Sequence, residues 1–265
     1  MEVLMSRSRL RIEASEKRRL GHVEVEVETQ RGALSRLRTA VEARSCSTWG
    51  FCNAHTVNMA AEDVRFRAAV GEITMFNDGV GVDIASRLLF GAAFPENLNG
   101  TDLTPALLEM LPEGTKVYLV GGSPDTAVRA AEAFSAMHPN VRLVGCHHGY
   151  FSDHQGSLVA NQVAAADPDL ILVGMGHPKQ EIWAASNMRA LKAPSLCVGA
   201  LIDRAAGAIP RAPLWMRQLR VEWLFRLLLE PRRLAKRYLW GNGVFLIRVW
   251  RQHRASSSGK LQTHV

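Results

Sequence analysis

Residues 169–192 read DLILVGMGHPKQEIWAASNMRALK, and this stretch decides the fold class. An unbroken apolar run ends in the glycines at 174 and 176, and an amphipathic segment follows. Such a run is typical of a strand buried on both faces. Pro178 stands near the position of a first helical residue, where proline is favoured. The stretch therefore predicts a strand, a glycine turn and a helix.

The same rhythm recurs along the chain. Apolar runs that end in small or polar residues lie at 47–52 (STWGFC), 72–77 (EITMFN), 116–122 (KVYLVGG) and 195–203 (SLCVGALID). Strand–turn–helix units in series predict an α/β fold, with a parallel sheet flanked by helices. In such folds ligands bind beyond the carboxyl ends of the strands.

Positive charge is concentrated near the C-terminus. The net charge is +7, yet residues 211–254 alone hold 11 Lys or Arg against Glu222 and Glu230, which gives 11 − 2 = +9. Four of the six Trp lie there too. The balance indicates an anionic partner: nucleic acid, phospholipid or a phosphorylated substrate. A basic, Trp-bearing amphipathic segment suits an anionic lipid surface, and its guanidinium groups suit phosphate. A solvated helical face is the simpler alternative, but such a face normally mixes charge signs.

These patterns predict four regions and exclude several classes. The regions are a leader with the first elements at 1–40, a Rossmann-like catalytic domain at 41–209, a basic membrane-associating appendage at 210–254 and a disordered tail at 255–265. The four Cys lack CxxC spacing, so we expect neither a disulfide framework nor a zinc site. No secretory signal or spanning helix is predicted, and any membrane contact should be peripheral. The absence of GxGxxG and Walker motifs argues against a dehydrogenase and an ATPase.

Glycines and polar residues follow two of the predicted strands. Gly121 and Gly122 come after KVYLV, where backbone N–H groups could approach a phosphate, although a tight turn without a ligand is an equal alternative. The second turn carries Gly176, Lys179, Gln180 and Glu181. Helix capping explains Glu181, but a Lys at the positive end of a helix suggests a bound anion.

Carboxylate and amide groups occupy the corresponding ends of other strands. Asp78 follows EITMFN, and at such a position an Asp serves as a general base or as a helix N-cap. Asn77 beside it, Asn53 after STWGFC and Asp203 after SLCVGALI are further candidates, with capping as the alternative. Asp167 and Asp169 match a DxD metal motif but precede a strand, so we expect a loop there. His147 and His148 lack a third ligand, and no metal or cofactor is predicted.

Several ordered motifs resemble the WecG/TagA/CpsF family of bacterial glycosyltransferases. They extend from about residue 50 to 247 and comprise NDGVGVDIASRLLFG, NLNGTDL, LVGGSPDTA, GCHHGYF, PDLILVGMGHPKQE and APLWMRQLRVEWLFRLLLEPRRLAKRY. The resemblance implies transfer of a sugar from a UDP-sugar donor to a sugar on polyprenyl diphosphate, with inversion. It also implies action at the cytoplasmic face of the membrane, by a peripherally associated protein that self-associates into homo-oligomers.

The resemblance also assigns roles to residues. It implies that Asp78 is the catalytic base, and that Gln180 and the rest of GHPKQE lie in the donor pocket. The appendage should close over the site and bring arginines to the diphosphate, namely Arg226, Arg233 and Arg237, with Arg232 as a further candidate. Many members have an Arg where this chain has Asn97, which puts a phosphate or acceptor contact there in doubt and allows a different sugar.

The resemblance leaves the sugar open. We expect a β-1,4-glucosyltransferase of exopolysaccharide assembly, with transfer of N-acetylmannosamine or its uronic acid as the alternative. In a different class, a nucleic-acid-binding protein or a membrane scaffold would explain the charge. Neither would need polar turns at successive strand ends, and we expect no nucleic-acid partner.

Overall fold

The computed structural model describes residues 16–213, 215, 216 and 222–261, with only the backbone of 233, 236, 237 and 257–261. Its strands are β1 Lys17–Leu20, β2 Val23–Glu26, β3 Thr48–Cys52, β4 Thr74–Asn77, β5 Thr115–Gly121, β6 Val141–His147, β7 Leu170–Gly174 and β8 Ser195–Cys197. Its α-helices begin with α1 Gln30–Glu42, α2 Ala54–Glu62, α3 Val64–Gly71, α4 Val80–Phe90, α5 Gly100–Met110 and α6 Pro124–Met137. They continue with α7 Gly156–Ala165, α8 Lys179–Leu191, α9 Leu201–Ala205, α10 Glu222–Leu229, α11 Pro231–Ala235 and α12 Gly241–Leu261.

Six strands form one parallel sheet in the order β4-β3-β8-β7-β5-β6, while β1 and β2 form a separate antiparallel hairpin. The predicted α/β, Rossmann-like class is therefore confirmed. Strand β6 was not predicted. Its sequence, VRLVGCH, is interrupted by the exposed Arg142 and ends in the partly exposed His147, so it shows no continuous apolar run.

Helices cover both faces of the sheet. Successive side chains of a strand point to opposite faces, so each strand contacts both helical layers. On β7, Leu170 and Leu172 join a core cluster with α1, α5 and α6, whereas Ile171 and Val173 face α7 and α8. The third cluster lies around β4 and includes Phe245 and Val249 of α12.

The C-terminal segment is helical, and no helix in the described part of the chain has the length and apolar character needed to cross a bilayer. A π-helical turn at Lys236–Trp240 leads into α12. Helix α12 runs to Leu261, so its backbone continues into the region for which the sequence predicted disorder. The run 195–203, predicted as one strand, is a short strand followed by α9, which contains Asp203.

Candidate active site

Two cavities meet at Asp78, at the carboxyl ends of the central strands. The first cavity, of about 620 Å³, is lined by the turns that follow β3, β7 and β8 and by part of α10. The second, of about 300 Å³, lies between α4, α5, α10 and α12. Within the described part of the chain, five residues line both cavities: Asn53, His55, Asp78, Thr101 and Arg226. A group bound in either cavity therefore reaches the same carboxylate.

Asp78 is not a helix cap. Gly79, with a positive φ of 91°, is the N-cap of α4, and no side chain caps this helix. The Gly79 N–H instead donates to Asn97 Oδ1 at 2.7 Å, so Asn97 holds the turn that presents Asp78. The Asp78 N–H donates to the Cys52 carbonyl at 2.8 Å, which ties the turn to β3. The Asp78 carboxylate is thus left to face the cavities.

Burial raises the pKa of the Asp78 carboxyl group above its usual value. The Arg226 guanidinium and a hydrogen bond from Asn53 oppose that shift. Besides its hydrogen bond to Asp78, Asn53 caps α2. Its Oδ1 accepts from the backbone N–H groups of His55 at 3.0 Å and Thr56 at 3.2 Å. A carboxyl group whose pKa is raised is a stronger base once ionised, which suits proton abstraction.

Helix α10 brings Arg226 to the cavities and is fixed there by a buried ion pair. Glu222 lies 2.6 Å from the Arg204 guanidinium, whose side chain is 6% exposed. Arg204 also donates to Thr101 Oγ1 at 3.1 Å. Helices α5, α9 and α10 are thereby held together beside Asp78. The ion pair between Arg204 and Glu222 was not predicted, because residues this far apart in sequence give no local signal.

Lys179 lines the first cavity, and its ammonium group already has hydrogen-bond acceptors within the protein. It donates to the Gly149 carbonyl at 2.8 Å and to the Phe151 carbonyl, and it lies 4.4 Å from the centre of the Phe151 ring. Burial lowers the pKa of Lys179. The anion that the sequence suggested is therefore not needed to explain a Lys at this helix start.

Gln180 and Glu181 are buried at the first cavity, and Gln180 is one of its lining residues. Gln180 Oε1 accepts from the Gly176 N–H at 3.2 Å and the Gly199 N–H at 3.1 Å, and its amide nitrogen donates to Glu181 at 2.6 Å. The Glu181 carboxylate also lies 2.9 Å from His177 Nδ1. His177 also lines the cavity; the resemblance implied a pocket role for the GHPKQE motif as a whole, without naming His177 individually.

The other predicted site residues divide between cavity and scaffold. Gly122, Gly176 and Asp203 line the first cavity. Gly121 packs its backbone against β7, where a Cβ atom would come within 2.3 Å of the Gly174 carbonyl oxygen. Asn77 is fully buried and donates to the Glu96 carbonyl at 2.8 Å, away from both cavities. The side chains of Arg233 and Arg237 lie outside the described residues, and Arg232 is exposed and lines neither cavity.

Two further motifs are structural. The predicted loop at Asp167 precedes β7, and His147 is the last residue of β6, a strand that was not predicted. Asp167 pairs with Arg44 and Lys116 in a loop before β7, which lowers the pKa of Asp167 to about 2. His147 Nδ1 lies 2.7 Å from the His148 carbonyl oxygen. Among the residues that the structure describes, no cluster of His, Cys, Asp or Glu is arranged to hold a metal ion.

A doubly wound α/β domain with a polar cavity at the carboxyl ends of its strands is typical of enzymes that bind phosphorylated small molecules. The model of the glycosyl transferase WecG/TagA/CpsF family matches residues 18–259, and the chain belongs to this family. Among curated proteins it is similar to N-acetylglucosaminyldiphosphoundecaprenol N-acetyl-beta-D-mannosaminyltransferase of Bacillus subtilis (strain 168), with 36% identity over 157 residues. That match covers 58% of this chain and 60% of the length of the relative.

Proposed function

We propose that this protein transfers an N-acetylhexosaminyl group from a UDP-sugar to a sugar carried on polyprenyl diphosphate. The observation that carries the proposal is the position of Asp78, which faces two cavities that also share Arg226. Family membership supports the reaction type. The activity named for the Bacillus subtilis relative favours N-acetylmannosamine as the transferred sugar over the glucose that the sequence led us to expect.

The reaction is a single in-line displacement. The donor lies in the first cavity and the acceptor hydroxyl in the second. The hydroxyl oxygen attacks the anomeric carbon as the bond from that carbon to the UDP oxygen breaks, and Asp78 accepts the hydroxyl proton. Arg226 faces the negative charge that develops on the departing diphosphate. General-base assistance contributes roughly 10²–10⁴-fold to the rate.

The proposal extends to where the reaction occurs. Helix α10, which supplies Arg226, belongs to the basic segment that we expect to lie on the anionic inner surface of the cell membrane. Attachment there would bring the lipid-linked acceptor to the second cavity. Self-association into homo-oligomers, which the family resemblance implied, is a further proposal that sedimentation measurements would test.

The test is transfer by wild type and Asp78→Asn, with a panel of UDP-sugars and a synthetic polyprenyl-diphosphate N-acetylglucosamine acceptor. The panel holds UDP-N-acetylmannosamine, its uronic acid, UDP-N-acetylglucosamine and UDP-glucose. We expect Asp78→Asn to lower kcat by at least about 100-fold while UDP affinity stays within about threefold, because only the base is lost. Asp125→Asn, on the exposed first turn of α6, is the control.

Each outcome has a defined meaning. Wild-type turnover by Asp78→Asn refutes the base assignment. Transfer from UDP-glucose alone restores the glucosyl hypothesis. If wild type transfers none of the four sugars and binds DNA with a steep salt dependence, the proposed function is wrong and the nucleic-acid alternative gains support.

A further inference from the structure

The second cavity has both polar and apolar lining. Asp78, Asn97 and Arg226 line it together with Ile84 of α4 and Leu246 of α12. Ile84 and Leu246 are each 47% exposed, so this apolar lining lies toward the surface of the protein. A cavity of this kind matches a ligand with an anionic head and a hydrocarbon tail, because each part of the ligand would meet the chemistry it favours.

The apolar lining continues beyond the cavity as a strip of exposed side chains. On α4 these are Val80, Ile84 and Leu88, which are 38%, 47% and 42% exposed. Their spacing of four residues places them on one helix face, and Leu88 lies about 12 Å along the axis from Val80. On α12, Leu246 and Trp250 are 47% and 51% exposed and are one turn apart. We call these five residues the α4–α12 strip.

Both helices begin at the cavity that contains Asp78 and are packed together there. A Cβ atom on Gly81 would lie 3.7 Å from the Phe245 ring, and Phe245 itself is buried. Phe245 also lines the cavity, so its ring joins the two sides of the strip at their base. The strip therefore starts at the cavity that contains the carboxylate and continues along the exposed faces of two packed helices.

We infer that the α4–α12 strip binds the first isoprenoid units of the acceptor, while the polar residues of the second cavity hold its sugar and diphosphate. The inference rests on the proposed function and adds a site for the lipid part of the substrate. Because Arg226 lines both cavities, its charge is complementary to the acceptor diphosphate as well as to the departing UDP. The strip supplies the apolar surface that a soluble sugar acceptor would not need. The strip thereby selects the lipid-linked form of the acceptor.

The first test uses no membrane. Transfer is measured in detergent-free buffer with two acceptors that share one sugar diphosphate and carry either a farnesyl or a methyl group. The readout is the ratio of kcat/KM for the farnesyl acceptor to that for the methyl acceptor. We expect wild type to favour the farnesyl acceptor by at least about tenfold, and Leu246→Gln to lose most of that ratio. Leu158→Gln, at a 59% exposed position on α7, should retain the wild-type ratio.

A second test does not depend on catalysis. Calorimetry compares the binding of farnesyl diphosphate with that of inorganic diphosphate. We expect wild type and Leu158→Gln to bind the farnesyl compound about tenfold more tightly, and Leu246→Gln to bind the two nearly equally. Thermal unfolding of all three proteins checks that they are folded.

The outcomes separate this inference from the proposed function. Transfer with equal kcat/KM for the two acceptors overturns the inference and leaves the function standing. No transfer to any acceptor overturns the function. If Leu246→Gln changes the sedimentation coefficient or the attachment to vesicles but leaves the acceptor ratio intact, the strip contacts a second copy or the bilayer, and the inference is wrong.

Discussion

Opposing influences act on the Asp78 carboxyl group, and they come from different parts of the chain. Desolvation raises its pKa, whereas Arg226 of α10 and Asn53 at the start of α2 lower it. The sequence predicted a carboxylate at the end of β4, because Asp78 follows an apolar run. It did not predict the balance of these influences, since the residues that set it converge only in the folded chain.

Arg226→Gln should move the acid limb of the pH profile for kcat/KM to higher pH. Asp78 acts as a base only when ionised, so kcat/KM rises as pH rises through the pKa of Asp78 in the folded protein. Arg226 lowers that pKa, and removal of the guanidinium charge therefore raises it. Arg226→Lys keeps the charge and should shift the limb less. An unmoved limb in Arg226→Gln would show that another group controls it.

At the scale of elements, the turns after β7 and β8 are joined by one side chain. Gln180, 2% exposed, accepts hydrogen bonds from the backbone of both turns. The sequence predicted the polar turn after β7, and it indicated ligand-binding roles for Gln180 and Lys179. The partners of Lys179 lie in the loop after β6, a strand that was not predicted, so the local pattern could not show them.

Gln180→Ala should lower the free energy of unfolding by about 1–3 kcal/mol, because two partly buried N–H groups and the buried Glu181 carboxylate lose a partner. Asn187→Ala, which removes one hydrogen bond to the Trp183 carbonyl within α8, should cost about 1 kcal/mol. Urea unfolding measures both values. Full stability of Gln180→Ala together with lost UDP affinity would instead favour the predicted ligand role.

At the scale of the whole molecule, the basic appendage is part of the main core. Phe245 and Val249 of α12 are buried in a cluster with residues of β2, α2 and α4. The sequence predicted parallel strands and a basic C-terminal segment from local patterns. It could not predict that β8 lies between β3 and β7, or that α12 packs on the domain, because both depend on contacts between distant residues.

Phe245→Ala should lower the free energy of unfolding by about 3–5 kcal/mol, since it leaves a cavity in that cluster. Leu239→Ala, at a 70% exposed position, should change stability by less than about 0.5 kcal/mol. Thermal or urea unfolding distinguishes the two. Equal, small effects would show that α12 is a detachable appendage. Deletion after about residue 210 would remove this core helix together with the basic residues, so point variants give the cleaner test of lipid attachment.

Arg251→Gln combined with Arg254→Gln should weaken binding to vesicles that contain anionic phospholipid. Both side chains are exposed on α12. Each charge near such a surface contributes about 1 kcal/mol, so the pair should cost roughly 30-fold in affinity at low salt. The control pair, Arg129→Gln with Arg142→Gln, removes two exposed charges from α6 and β6. Equal losses in the two double variants would indicate attraction by net charge alone.

The contact between the β1–β2 hairpin and α12 bears on how the protein is made. Gln252 exchanges hydrogen bonds of 2.8 Å with Gly21 and Arg19, across more than 230 residues of sequence. During synthesis the hairpin leaves the ribosome well before this partner, which is translated more than 230 residues later. The apolar residues of the hairpin and of α4 therefore lack part of their core until α12 has been made. Nascent chains of this protein should depend on chaperones that shield exposed apolar surface until α12 emerges.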